Sequence, residues 1–180
     1  MSQPAAVRML GLLLRDRELR RRFAIDRSAV LQEFGIAPDQ ASIFSELDSG
    51  QLDIQAESLI RKRRFEVARL LPETWLRLGS QAPVKFRQYV DQSSWPEGHR
   101  RHLTDASMFC RFLRESAPEE YSRSEHHWVA FRADDRSFTI RAVPDLSIRG
   151  KQRWGALVCF RRNGLAIRKA FYLRGGLIST

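Results

Sequence analysis

The stretch VCFRRNGLAIRKAFYL, residues 158–173, sets the architecture of the C-terminal third of the chain. Two runs with a period of two flank Asn163-Gly164. A type I′ hairpin turn needs positive φ at both central positions, and Asn-Gly supplies it at least cost. The run after the turn puts Leu165, Ile167, Phe171 and Leu173 on one face, and Ala166, Arg168, Ala170, Tyr172 and Arg174 on the other. The run before it predicts a partner strand over Arg153–Arg162. Upstream, the alternation of Trp128 and Ala130 with Val129 and Phe131 predicts a strand over His127–Ala133. A turn at Asp134-Asp135 and a strand carrying Phe138, Ile140 and Ala142 follow, and PDLSIRGKQ reads as a loop. The expectation is a four-stranded meander with two unpaired edges.

The preceding residues carry a helical period. A helix is expected over Ala5–Phe23, and a second from the N-cap Asp26 to Gly35, the residue type that suits a left-handed C-cap. Pro38 opens a third. A long fourth helix runs from Gln51 to Leu71, with Leu52, Ala56, Leu59, Ile60, Val67 and Leu70 as its apolar stripe. Pro72 stops it, Thr74, Trp75, Leu76 and Leu78 add a turn, and further helices fall near Val84–Asp91 and Arg100–Glu115. Helices first and strands last define an α+β protein, an N-terminal helical bundle (1–117) followed by a C-terminal antiparallel β-sheet (118–180).

Composition limits the function. The chain has 180 residues, a net charge of +10 and 43% hydrophobic residues, enough for a real core and a surface suited to an acidic partner. Eleven basic residues against three acidic ones follow His126, so the charge gathers in the strand half. A free strand edge flanked by Arg168, Tyr172 and Arg174, or by Trp128 and Phe131 at the other side, suits an acidic extended peptide that adds as a strand. The run Arg61, Lys62, Arg63, Arg64 spreads around most of a helix circumference, since neighbours are about 100° apart. It reads as a solvated face, with a partner-binding face as the alternative. The tryptophans read as core or interface anchors.

No catalytic set is apparent. His99 and His102 have metal-ligand spacing but no carboxylate completes them, and Cys110 sits in the apolar run MFCRFL as a core cysteine. No Gly-rich phosphate loop, GxSxG or HExxH occurs. Met9–Leu14 is too short to span a membrane and lacks a cleavage site, and two cysteines in apolar surroundings fit a reduced, cytoplasmic protein.

The run LLRDRELRRRFAIDRSAVLQEFGIAPDQASIFSELDSGQLD, with Leu19, Phe23 and Phe34-Gly35-Ile36, resembles the small helical module of LigA-type subunits of extradiol dioxygenases. RKRRFEVARLLPETWLRLG, with Phe86 and Tyr89 after it, resembles the partner subunits of multinuclear-iron peptide-modifying enzymes of the MbnC, HvfC and TglI kind. That resemblance covers about residues 10–115. It implies a non-catalytic subunit with no cofactor of its own. The iron would lie in a TIM-barrel partner, and the assembly would oxidatively modify cysteine in a ribosomally made precursor peptide. The chain would hold the barrel through residues such as Arg61, Arg64 and Trp75, and the leader peptide through Arg168, Tyr172, Arg174, Trp128 and Phe131. Two alternatives are a small helical subunit of another dioxygenase and a basic nucleic-acid-binding regulator. The second has no helix-turn-helix or RNA-recognition motif behind it.

Overall fold

The computed structural model describes residues 5–148 and 151–172. It is α+β, helices first and then a three-stranded antiparallel sheet. The chain divides into two compact units, residues 1–63 and 64–180, and the expected division at 117/118 falls inside the second.

The first unit holds α1 (Ala5–Arg15), α2 (Arg17–Ile25), α3 (Arg27–Glu33), α4 (Pro38–Ser45) and most of α5 (Ser49–Leu70). The single helix expected over Ala5–Phe23 is broken at Asp16. Its carboxylate leaves the helical path and accepts from the Leu19 N–H at 2.9 Å, capping α2. Asp26 repeats the device at α3. Gly35 ends α3 at φ 63°, and Pro38 opens α4. Met9, Leu13, Leu19, Phe23, Val30, Phe44 and Leu52 form the core, with the rings of Phe23 and Phe44 edge to face. Arg20 is buried there because each end of its guanidinium is satisfied, at 2.9 Å by the Leu13 carbonyl and at 2.8 Å by Asp53.

The second unit continues with α6 (Pro72–Leu78), a 3-10 turn, α7 (Ala82–Gln92), α8 (Arg101–Ser116) and α9 (Arg123–Ala133). The sheet strands are β1 (Phe138–Ile148), β2 (Lys151–Arg162) and β3 (Leu165–Tyr172), in the order β1-β2-β3. Rings of Trp75, Phe86, Tyr89, Phe109 and Phe112 pack in tilted and edge-to-face contacts through its helical core. The strand expected over His127–Ala133 is helix α9. This helix lies between α8 and the sheet, so its apolar residues point in several directions and give no helical stripe. Its start is capped by Ser122, whose Oγ accepts from the Glu125 N–H at 3.4 Å. The loop expected at PDLSIRGKQ is in part strand. β1 passes through Pro144 at a bulge between Val143 and Leu146, a place where a missing N–H does no harm. The Asn163-Gly164 turn has positive φ at both positions, as expected. Gly155 sits where the backbones close up: a Cβ there would lie 2.4 Å from the Phe171 carbonyl oxygen.

A polar knot ties α6, α9 and β1 together. The Glu125 carboxylate accepts from the N–H groups of Glu73 (2.7 Å) and Thr74 (2.8 Å) and from Thr74 Oγ1 (2.8 Å), so a side chain of α9 caps α6. Arg77 bridges Glu73 at 2.8 Å and Asp145 at 3.3 Å, while Asp145 accepts from the Arg123 N–H at 2.7 Å. Hydrogen bonds to a charged acceptor contribute about 1.5–3 kcal/mol each, and burial of orphaned donors costs a similar amount. Glu125→Ala is therefore expected to lower stability by about 3 kcal/mol or more, read from urea unfolding followed by tryptophan fluorescence. Glu125→Gln, which keeps one acceptor oxygen, should fall in between. A loss below about 1 kcal/mol for the alanine variant contradicts the knot's role.

Candidate functional site

The sheet has two unlike faces. Rows run across the strands on the outer one: Phe138–Phe160–Ile167, Ile140–Val158–Lys169 and Ala142–Ala156–Phe171. Trp154 and Leu165 extend this face by strand alternation. Phe138, Ile140 and Phe171 are each more than half exposed, Trp154 is 61% exposed and Leu165 70%. The inner face puts Val143, Leu157 and Cys159 against Phe131 of α9. Arg161 of β2 crosses to the end of α9, donating to the Phe131 carbonyl at 3.1 Å with its guanidinium over the Phe131 ring. β1 and β3 are the edges of the sheet among the described residues.

The residues expected to hold a peptide are split. Trp128 and Phe131 lie on helix α9, so no guest strand can add along 127–133; Phe131 is buried beneath the sheet. Trp128 and Arg168 do come together. Arg168 of β3 and Arg132 of α9 each lie 5.6 Å from the indole ring. Tyr172 is exposed at the end of β3, opposite Gly155, and Arg174 lies outside the described residues. In the basic run, Arg61 and Lys62 are exposed, Arg63 is buried and Arg64 half-buried, the spread that helical geometry requires. Trp75 packs between Phe86 and Phe109, and the exposed neighbour is Leu76. No group of three or more His, Cys, Asp or Glu is placed to hold a metal among the described residues. Cys110 is fully buried, and burial pushes its thiol up, away from thiolate chemistry.

A groove that the sequence reading missed runs over α9. It is open to solvent, with a volume of about 630 Å³. His126, His127, Ala130 and Ala133 of α9 form its floor; Thr104, Ser107, Met108, Arg111 and Arg114 of α8 form one wall. Thr139 and Arg141 of β1, with Arg136 before it, form the other. The two imidazoles stack with ring centroids 5.9 Å apart, and Tyr121 meets His126 edge-on. Burial, helped by His127, Arg114 and Arg111, pushes His126 down to about 4. Burial and then Arg141 lower His127, against the pull of Asp145. Both rings are therefore neutral hydrogen-bonding groups at pH 7.

Residues 41–115, from α4 to α8, match the family of SCO6045-like C-terminal domains. This similarity covers less than half of the chain and includes the α8 wall of the groove, but neither its floor nor the sheet. No curated protein and no solved structure shows significant similarity. No helix among the described residues is long and apolar enough to cross a membrane.

The depressed histidine sets an acid sensitivity. The unfolded imidazole takes up a proton near pH 6.5 and the folded one only near 4, so the unfolded chain binds more protons between these values. The His126 contribution is complete above pH 6.5 and is lost as the pH falls toward 4. Glu125 acts in the opposite sense, since burial raises its carboxyl and the folded form protonates first. His126→Gln is expected to flatten the fall in urea midpoint between pH 6.5 and 4 relative to the parent. Parallel curves for the two proteins would show that His126 is not the group responsible.

Proposed function

We propose that the chain is a non-catalytic partner subunit that docks a second protein on the outer face of its sheet. The observation that carries this reading is the row of exposed aromatic and aliphatic side chains at Phe138, Ile140, Trp154, Leu165 and Phe171. Contiguous apolar surface of this kind marks an interaction site, because water contact with each large side chain costs on the order of 1.5–3 kcal/mol relative to burial. Lys169, and Arg162 beside Leu165, are charges on this face, so a partner would place carboxylates opposite them and apolar groups around them.

The finer reading follows the sequence resemblance. The second protein is an iron-containing TIM-barrel enzyme, and the iron and its chemistry reside there. The assembly oxidatively modifies cysteine in a ribosomally made precursor peptide. The leader lies along the open edge of β3, where main-chain groups supply register. Arg168, stacked on Trp128, and Tyr172 select an acidic guest.

Co-expression with an iron-binding barrel protein from the adjoining reading frames is expected to give a stable complex on size exclusion, with the iron in the barrel. Ile140→Glu with Phe171→Glu should abolish the complex and make the lone chain more soluble. A lone chain that is monodisperse and fully active, or a double variant that still assembles, overturns the reading. Arg168→Glu with Arg174→Glu should weaken leader binding about tenfold, equivalent to about 1.4 kcal/mol, and the loss should shrink at high salt. Unchanged affinity in a folded variant removes this face from leader recognition.

A further inference from the structure

We propose that the groove over α9 is a binding site for a small phosphorylated molecule carrying the charge of two or more phosphate groups. This inference is independent of the partner-subunit reading, because the groove opens on the α8–α9 side and the exposed apolar rows lie on the opposite face of the sheet.

The groove is strongly basic. Arg111, Arg114, Arg136 and Arg141 line the groove against a single carboxylate, Asp134. Asp134 is already engaged, with Arg136 at 2.7 Å and with the Asp135 N–H at 2.7 Å. Arg114 reaches only a distant, exposed Glu115 at 3.9 Å. Neither Arg111 nor Arg141 is paired with a carboxylate among the described residues. Guanidinium groups drawn from α8 on one wall and β1 on the other repel each other until an anion lies between them. Each is a planar fork that matches phosphate oxygens two at a time.

Arg111 and Arg114 stand one helical turn apart, and Arg141 faces them across the floor. Ala130 and Ala133 keep that floor low, and His126 and His127 offer neutral ring groups at one end. From His126 to Ala133 the helix rises about 10 Å, at 1.5 Å per residue. That length holds two or three phosphate groups, or only about three residues of extended peptide at roughly 3.3 Å each. The volume of this open groove falls within the usual range of roughly 300–1,000 Å³ for small-molecule sites. Thr104, Ser107 and Thr139 add hydroxyls to the walls.

Calorimetry on the full chain at low salt, with tripolyphosphate, citrate and an oligoglutamate as probes, tests the site. Tripolyphosphate is expected to bind with one-to-one stoichiometry and at least tenfold tighter than citrate, and any oligoglutamate binding should be insensitive to Arg111→Ala with Arg141→Ala. The same double variant should weaken tripolyphosphate binding tenfold or more. Arg132→Ala with Arg168→Ala removes the same charge elsewhere and should leave affinity within about twofold. Both arginines of the first pair are exposed, so that variant should keep the parent's melting temperature. A measurement that needs no variant is the histidine Cε1–H spectrum, in which the His126 and His127 signals should shift on adding tripolyphosphate. Citrate binding as tight as tripolyphosphate, equal losses in the two variants, or histidine signals that do not move would each overturn the proposal.

Discussion

The second unit depends on one carboxylate. Glu125 is 94% buried, a position that a charged side chain occupies only when its oxygens are fully engaged. In an ordinary capping box the acidic residue turns back to its own helix start. Here Ser122 keeps its half of the box, and Glu125 reaches across to the first N–H groups of α6. The exchange leaves Ser122 N–H to Thr74 Oγ1 at 3.0 Å and Ser122 Oγ to Ser124 and Glu73. Glu125, Ser122, Arg77 and Asp145 thereby each hold two elements at once. Asp145 enters it only because the bulge at Pro144 turns β1 toward Arg77 and Arg123. The position of α6 and the tilt of the sheet over α9 thus follow from the same few contacts.

How much of this was legible in the sequence depended on how local each signal is. The Asn163-Gly164 hairpin, the Gly35 stop and the Pro38 start need only their own residues, and each appears where expected. The sequence of α9 imitates a strand, because a helix packed on two sides has no single apolar stripe and this one contains a short alternation. The Ser-Arg-Ser-Glu box at residues 122–125 was the available correction. The bulge at Pro144 was hidden by the rule that proline ends a strand. The apolar face of β3 could be read from alternation, but its exposure could not, since that requires knowing which side α9 covers. The groove is the least local feature. Arg111 and Arg114 sit in a run that looks like core, and Arg141 comes from a different element about thirty residues on.

One helix serves two surfaces. α9 carries Phe131 and Trp128 beneath the sheet, and His126, His127, Ala130 and Ala133 beneath the groove. Arg161 fastens its last turn to β2, and Ser122 with Glu125 fastens its first turn to α6. A small rotation of α9 would disturb both surfaces together. At Gly155 the backbones of β2 and β3 approach too closely for a Cβ.

The cap on α6 also has a bearing on how the chain is made. Thr74 and Glu125 are separated by 51 residues. Synthesis proceeds at about 5–20 residues per second, so α6 leaves the ribosome roughly 3–10 s before the carboxylate that completes it. During that interval its first amides have only water to bond. The aromatic cluster of α6, α7 and α8 can gather in the meantime, yet the unit cannot lock until α9 emerges. A nascent chain arrested before Glu125 would thus be a collapsed intermediate with an open seam, and the order of translation places the last fastening at the far end of the helical segment.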